Sequence, residues 1–317
     1  MWVAARVISE LVLWFAVSIV GGSDTAIAQQ PYLWGLTSDN CMERTEQQIK
    51  ALAHLPRRST VRTVFDPPKD GGPNPDDYLP CIKATASVAD VMGLAVDSHT
   101  MASLKPKEVE MRMAAYIAKL GAIVRIWEIG NEVNGDWVGE DTLQKIEIMY
   151  DAAKAAQHLT ALTLYYEPVP ESSAEMIGWV DANIPFNHRM RAGLDYVFVS
   201  YYEDENGGHQ LSHAEFDRVF GALASRFPNA LLGIGEFGWG KGVPSDPAKR
   251  AALLERFYSY RMPSMTRFIG GGFYWHFRQT MVAEHAPDRD VLVRLMLARL
   301  RCLVTRDGTA IAHPTNI

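Results

Sequence analysis

Trp127-Glu128-Ile129-Gly130-Asn131-Glu132 closes an apolar, β-branched run that starts at Ile123, and Leu231-Leu232-Gly233-Ile234-Gly235-Glu236 repeats the arrangement far downstream. Each stretch reads as a buried strand that delivers a carboxylate at its carboxyl end, where ionised side chains are rarely placed without a reason. Further short apolar runs at 32–36, 60–65, 91–96, 161–166, 196–201 and 271–276 join those at 123–129 and 231–235, giving eight candidate strands. Between them, segments such as 107–120, 141–157, 213–226 and 247–260 carry apolar residues at helical spacing after polar starts. Strands alternating with helices imply a parallel sheet with right-handed crossovers, and eight such units close into a single-domain α/β (β/α)8 TIM barrel. A doubly wound open sheet is the competing arrangement, but no glycine-rich phosphate loop follows the first strand.

The length of 317 residues, with 48% hydrophobic and 21% charged residues, suits one large globular domain. A net charge of −6 supplies no basic patch, so nucleic acid is not an expected partner, whereas a neutral polysaccharide fits. Residues 1–28 read as an export signal: Arg6 gives a weak positive region, Leu11 to Val20 an apolar core and Ala26-Ile27-Ala28 a small-residue cleavage site. The mature chain then runs over 29–317, from Gln29. A membrane anchor is the alternative, but the apolar run is only about ten residues where a spanning helix needs roughly twenty. A secreted or periplasmic protein without stable membrane insertion is expected. Cys41, Cys81 and Cys302 are too few for a disulfide scaffold and lack the spacing of a zinc site. Export permits one bridge. Cys41 lies just before the first helix and Cys81 near the start of the second, which favours a Cys41 to Cys81 pair; three small buried apolar residues is the other reading.

Two carboxylates are the minimum equipment for cleaving a glycosidic bond. Asn131-Glu132 closing the fourth strand and Glu236 closing the seventh resemble the clan A glycoside hydrolases, the retaining (β/α)8 enzymes. The resemblance implies that Glu132 is the general acid/base and Glu236 the nucleophile. A retaining mechanism needs their carboxyl groups about 5 to 5.5 Å apart. Glu132 should carry a raised pKa, and Glu236 should stay ionised, held by donors. The resemblance also assigns Asn131 to the 2-hydroxyl of the sugar being cleaved.

Arg62, a lone charge in Thr60-Val61-Arg62-Thr63-Val64-Phe65, takes by the same resemblance the role of donor to the nucleophile; a structural ion-pair partner is the alternative. Tyr201 and Tyr202 end the sixth strand, where the clan supplies a tyrosine to the nucleophile. Alternation turns only one inward, and Tyr201 is favoured over Tyr202. Trp275, in Gly272-Phe273-Tyr274-Trp275-His276, matches the tryptophan beneath the cleavage-site sugar, with a large core residue as the alternative. Asp97 and His99, after the third strand, are candidates to bind sugar hydroxyls or support Glu236. Trp34, Trp137 and Trp239 are placed at or just after the ends of strands one, four and seven, where further sugars would stack. Glu128 points opposite to Trp127 and Ile129, and Glu132 is the acid beside Asn131.

No cofactor or metal is implied: the nine histidines form no His-Glu-x-x-His set, and no Gly-x-Ser-x-Gly elbow suggests a serine hydrolase. The expected activity is hydrolysis of a β-linked oligo- or polysaccharide by double displacement. A catalytically silent carbohydrate-binding barrel and a transglycosylase on the same scaffold are the alternatives.

Overall fold

The structure, a computed structural model, describes residues 32–65, 74–168 and 175–306, with side chains as far as residue 301. The export-signal expectation on residues 1–28 and the side chain of Cys302 lie outside the described residues. Eight strands form the sheet: β1 (Leu33–Ser38), β2 (Thr60–Val64), β3 (Asp90–Leu94), β4 (Ile126–Gly130), β5 (Leu159–Tyr165), β6 (Tyr196–Tyr201), β7 (Leu231–Phe237) and β8 (Phe268–Tyr274). They pair in chain order, all parallel, and β1 closes on β8, so the sheet is the expected closed barrel. Around it lie α1 (Thr45–Ala53), α2 (Pro75–Val88), α3 (Ser98–Met101), α4 (Pro106–Leu120), α5 (Thr142–Ala155), α6 (Met176–Asn183), α7 (Arg189–Gly193), α8 (His213–Arg226), α9 (Pro247–Ser259), α10 (Phe277–Thr280) and α11 (Pro287–Arg306).

Local chemistry sets these boundaries. Asn74 caps α2 and Ser212 caps α8 through reciprocal capping boxes with Asp77 and Glu215, while Pro75, Pro106 and Pro247 occupy first turns where no amide hydrogen is needed. Outward-facing strand residues such as Val61, Trp127, Leu162, Val197 and Ile234 pack with the helices in one continuous apolar layer. A separate apolar cluster of Met92, Ala161, Phe198, Ile269 and Phe273, with Leu33, Ile126, Tyr196 and Leu231 against it, fills the lower barrel interior. Above that floor the interior turns polar: Thr37, Arg62, Glu128, Thr163, Ser200 and Glu236 are all buried. A core that changes from apolar to charged along its own axis assigns the chemistry to the carboxyl ends of the strands. A cavity of about 650 Å³ opens at the opposite end, lined by strand starts such as Leu33, Thr60 and Leu231, and contains neither Glu132 nor Glu236.

Cys41 and Cys81 are joined by a disulfide, with their Cα atoms 5.7 Å apart, linking the segment after β1 to α2. Among the described residues no helix is long and apolar enough to cross a membrane.

Candidate active site

Regular alternation alone would not bring both glutamates into the barrel mouth. In β4, Trp127 and Ile129 face the helices and Glu128 faces inward, but the register with β5 slips between Glu128, opposite Ala161, and Gly130, opposite Leu162. The irregularity re-aims the strand end, as bulges near active sites do. Glu132 then sits in the left-handed region at φ 50°, a conformation that costs a non-glycine residue on the order of 1–3 kcal/mol and persists only where the surroundings enforce it. The other glutamate is turned by a second slip, where β6 pairs Val199 with Ile234 but Ser200 with Glu236. Gly235, the residue passed over, lies so close to the interior that a Cβ would stand 2.5 Å from the Cβ of Phe198 and 2.9 Å from Thr163. Glycine is therefore required where the bulge forms.

The two carboxylates have different partners. Ser200 Oγ donates to Glu132 Oε1 at 2.5 Å and Ser98 Oγ to its Oε2 at 3.2 Å. Glu236 receives Arg62 Nη1 on Oε2 and the Tyr202 hydroxyl on Oε1, each at 2.5 Å. Arg62, fully buried, also donates Nε and Nη2 to Glu128 at 2.5 and 3.3 Å, and Thr163 Oγ1 donates to Glu128 at 2.5 Å. A Glu128–Arg62–Glu236 chain thus crosses the barrel.

Electrostatics separate the glutamates further. Burial, reinforced by the charge of Glu236, lifts the Glu132 carboxyl well above the usual carboxylate range, against the pull of Ser200. Burial also raises Glu236, so it is not simply held low as expected, but the Arg62 charge and the Tyr202 hydrogen bond oppose that rise. With a cation and a phenol on Glu236 and only hydroxyls on Glu132, a shared proton rests on Glu132. Burial pushes the Tyr202 phenol far up, which keeps it a donor, and the charges of Glu128 and Glu236 outweigh burial to hold Arg62 cationic.

Around this pair the remaining candidates divide. Asn131 is buried, with Nδ2 3.4 Å from Ser98 Oγ and Oδ1 without a hydrogen bond. Trp275 follows directly on β8 and stays partly exposed, with Arg62 Cζ 5.8 Å from its ring centroid. Asp97 caps α3 through the amide of His99, and its charge also raises both glutamates; the His99 side chain is exposed. Trp137 and partly buried Trp239 are on the loops after β4 and β7.

Two expectations are corrected. Tyr202, not Tyr201, reaches Glu236: Phe198, Ser200 and Tyr202 share the inward parity, while the Tyr201 hydroxyl donates to the carbonyl of His209 at 2.8 Å. Trp34 is not at the rim, because β1 extends to Ser38; the indole is 4% exposed and packs on Tyr32 and Tyr258. Sequence reasoning missed Ser98, Ser200 and the part played by Glu128. The Ser200 signal was its parity with Phe198, and the Glu128 signal was an acid and Arg62 each facing inward from otherwise apolar strands.

No family model and no curated protein matches the chain. Among solved structures it is similar to a Saccharomyces cerevisiae Gas2p mutant in complex with laminaritetraose and laminaripentaose, at 13% identity and TM-score 0.53 over 86% of this chain and 65% of that one. This chain therefore spans just under two thirds of the Gas2p chain. It is also similar to Thermotoga maritima β-glucosidase bound to cyclophellitol, at 11% identity and TM-score 0.53 over 78% of this chain and 88% of that one. The same enzyme with isofagomine lactam gives 12% identity and TM-score 0.54 over 78% and 89%. At these identities the likeness establishes the shared barrel fold.

Proposed function

We propose that the protein is a retaining β-glycosidase acting on a β-linked oligo- or polysaccharide. One observation carries the reading: two buried carboxylates at the carboxyl end of the barrel are held from the same strand end, Glu236 by Tyr202 together with Arg62 and Glu132 by Ser200 together with Ser98. In the first step Glu236 attacks the anomeric carbon while Glu132 passes its proton to the departing oxygen. The C–O bond to the leaving group breaks, and a glycosyl ester forms on Glu236. In the second step Glu132, now a carboxylate, takes a proton from water, which displaces Glu236 and restores both groups. Asn131, with its free acceptor atom, suits the 2-hydroxyl, and partly exposed Trp275 suits the sugar face beside Glu236.

Residues 29–317 are proposed as the catalytic domain and 1–28 as an export signal; the Cys41–Cys81 bridge supports an oxidising compartment. The test is a panel of β-linked polysaccharides with product analysis. It starts from laminari-oligosaccharides and β-glucosides, since a fold neighbour is bound to the former and another is a β-glucosidase. Glu236→Ala should abolish turnover, with azide partly restoring it as an α-glycosyl azide. Glu132→Ala should lose about 10² to 10⁴-fold on poor leaving groups and far less on activated ones in the glycosylation step. Wild-type rates in either variant reject the assignment.

A further inference from the structure

Next to Glu132 the rim carries a polar and aromatic group that double displacement leaves unused. Tyr165 ends β5; its hydroxyl donates to Glu205 Oε2 at 3.2 Å and accepts from Asn206 Nδ2 at 3.4 Å. Asn134, two residues past Glu132, donates Nδ2 to the Tyr165 carbonyl and accepts from the Tyr165 amide, each at 2.8 Å, which places the group on the acid/base side; burial and the Glu205 charge keep the phenol protonated. Arg62 and Trp275 occupy the nucleophile side. Glu205 is exposed, and its Oε1 takes no hydrogen bond among the described residues. That oxygen lies in the space left by Gly240, where a Cβ would collide with it. Trp137 packs edge-on to Tyr165, with ring centroids 5.3 Å apart at 80°, and lies against Gly135, where a Cβ would stand 2.5 Å from the indole. It nevertheless remains 38% exposed. An indole packed edge-on against Tyr165 and still 38% exposed is a preorganised platform for the C–H face of a pyranose, and a carboxylate with a free oxygen beside it is an acceptor for sugar hydroxyls.

We propose that Trp137, Tyr165 and Glu205 form the subsite for the leaving-group sugar, and hence for a sugar acceptor in the second half of the reaction. The proposal rests on the glycosidase reading, because the departing oxygen faces Glu132 only in that mechanism. With a sugar on the platform, Glu132 takes the proton of its hydroxyl. The alkoxide oxygen then bonds to the anomeric carbon as the ester bond breaks and its electron pair returns to Glu236. With the platform empty, water takes the same place.

The experiment traps Glu236 with 2-deoxy-2-fluoro-β-glycosyl fluorides of glucose, galactose and xylose, then measures reactivation in buffer alone and with added disaccharide of the trapping sugar, laminaribiose for glucose. In the wild type the disaccharide should accelerate reactivation saturably. In Trp137→Ala and in the conservative Glu205→Gln the ratio of disaccharide to water reactivation should fall at least tenfold. In parallel, kcat/KM should fall at least tenfold more on the tetrasaccharide of that sugar than on its 4-nitrophenyl β-glycoside, which brings no sugar to this side. An unchanged ratio, or equal losses on both substrates, overturns the subsite alone. Wild-type turnover in Glu236→Ala on any glycan that the wild type cleaves overturns the glycosidase reading and the subsite with it.

Discussion

Glu132 is the residue at which stability and activity pull apart. Its folded pKa is raised by burial and by Glu236, so between the ordinary glutamate value near 4.3 and that raised value the folded state binds more protons than the unfolded one. Stability is therefore full below the ordinary value and is lost as pH rises through the folded value. Glu132→Gln should melt higher than the wild type at neutral pH, and the gap should close below about pH 4. A gap of constant size across that range in thermal melts would show that the charge is not its source. Activity shares that requirement at Glu132, which must be protonated, and opposes it at Glu236, which must be ionised; because both are raised, the bell in kcat/KM should lie above the ordinary carboxylate range. Glu132→Gln should remove its basic limb. Deeper in the barrel, Glu128 holds Arg62 from below. Glu128→Ala leaves a buried guanidinium with one carboxylate instead of two and should cost about 3–5 kcal/mol in denaturant unfolding. A loss below about 1 kcal/mol, the scale of a surface ion pair, would mean that Glu128 adds nothing to the network.

At the scale of the element, the carboxylates are aimed by irregularities in strands whose rest is regular. Gly235→Ala tests this, since its Cβ would meet Phe198 and Thr163 inside the barrel. Overpacking of this kind costs about 1–3 kcal/mol. Relief by straightening the strand would turn Glu236 out of line, so the labelling rate of Glu236 by a 2-fluoroglycosyl fluoride should drop well beyond what the lowered Tm accounts for. Wild-type labelling in a destabilised variant would show that the bulge does not aim the nucleophile. The same irregularities mark what could be read in advance. The number and order of strands were legible because apolar runs and capped helices alternate along the chain, and the motif glutamates were legible because acids rarely end buried strands. The choice between Tyr201 and Tyr202 was not, since parity at a strand end depends on the interior partner, here Phe198 and Ser200. Trp34 was misplaced because a strand that extends two residues beyond the apolar run, through Thr37 and Ser38, carries its rim away from the indole.

For the whole molecule, a closed barrel has no free edge, but it has a seam where the first strand meets the last. Thr37 Oγ1 donates to the Phe273 carbonyl at 3.3 Å, and the Tyr258 hydroxyl to the Gly35 carbonyl at 2.6 Å. Just beyond β1, Arg278 donates Nε and Nη2 to the two oxygens of Asp39, each at 2.7 Å. The Cys41–Cys81 bridge begins two residues after Asp39 and ties this segment to α2, across 40 residues of chain. Closing a loop of that length restricts the unfolded chain by up to about 4 kcal/mol in the chain-entropy estimate. The double variant Cys41→Ala, Cys81→Ala should therefore lose about 2–4 kcal/mol in denaturant unfolding. Its midpoint should match that of reduced wild type, because both cysteines are buried and the substitution removes little else. Protein recovered from an oxidising compartment and denatured without reductant should titrate one thiol, from Cys302, of the three cysteines in the sequence. Three thiols would remove the bridge from the account of stability and leave the seam to its hydrogen bonds and the Arg278–Asp39 pair.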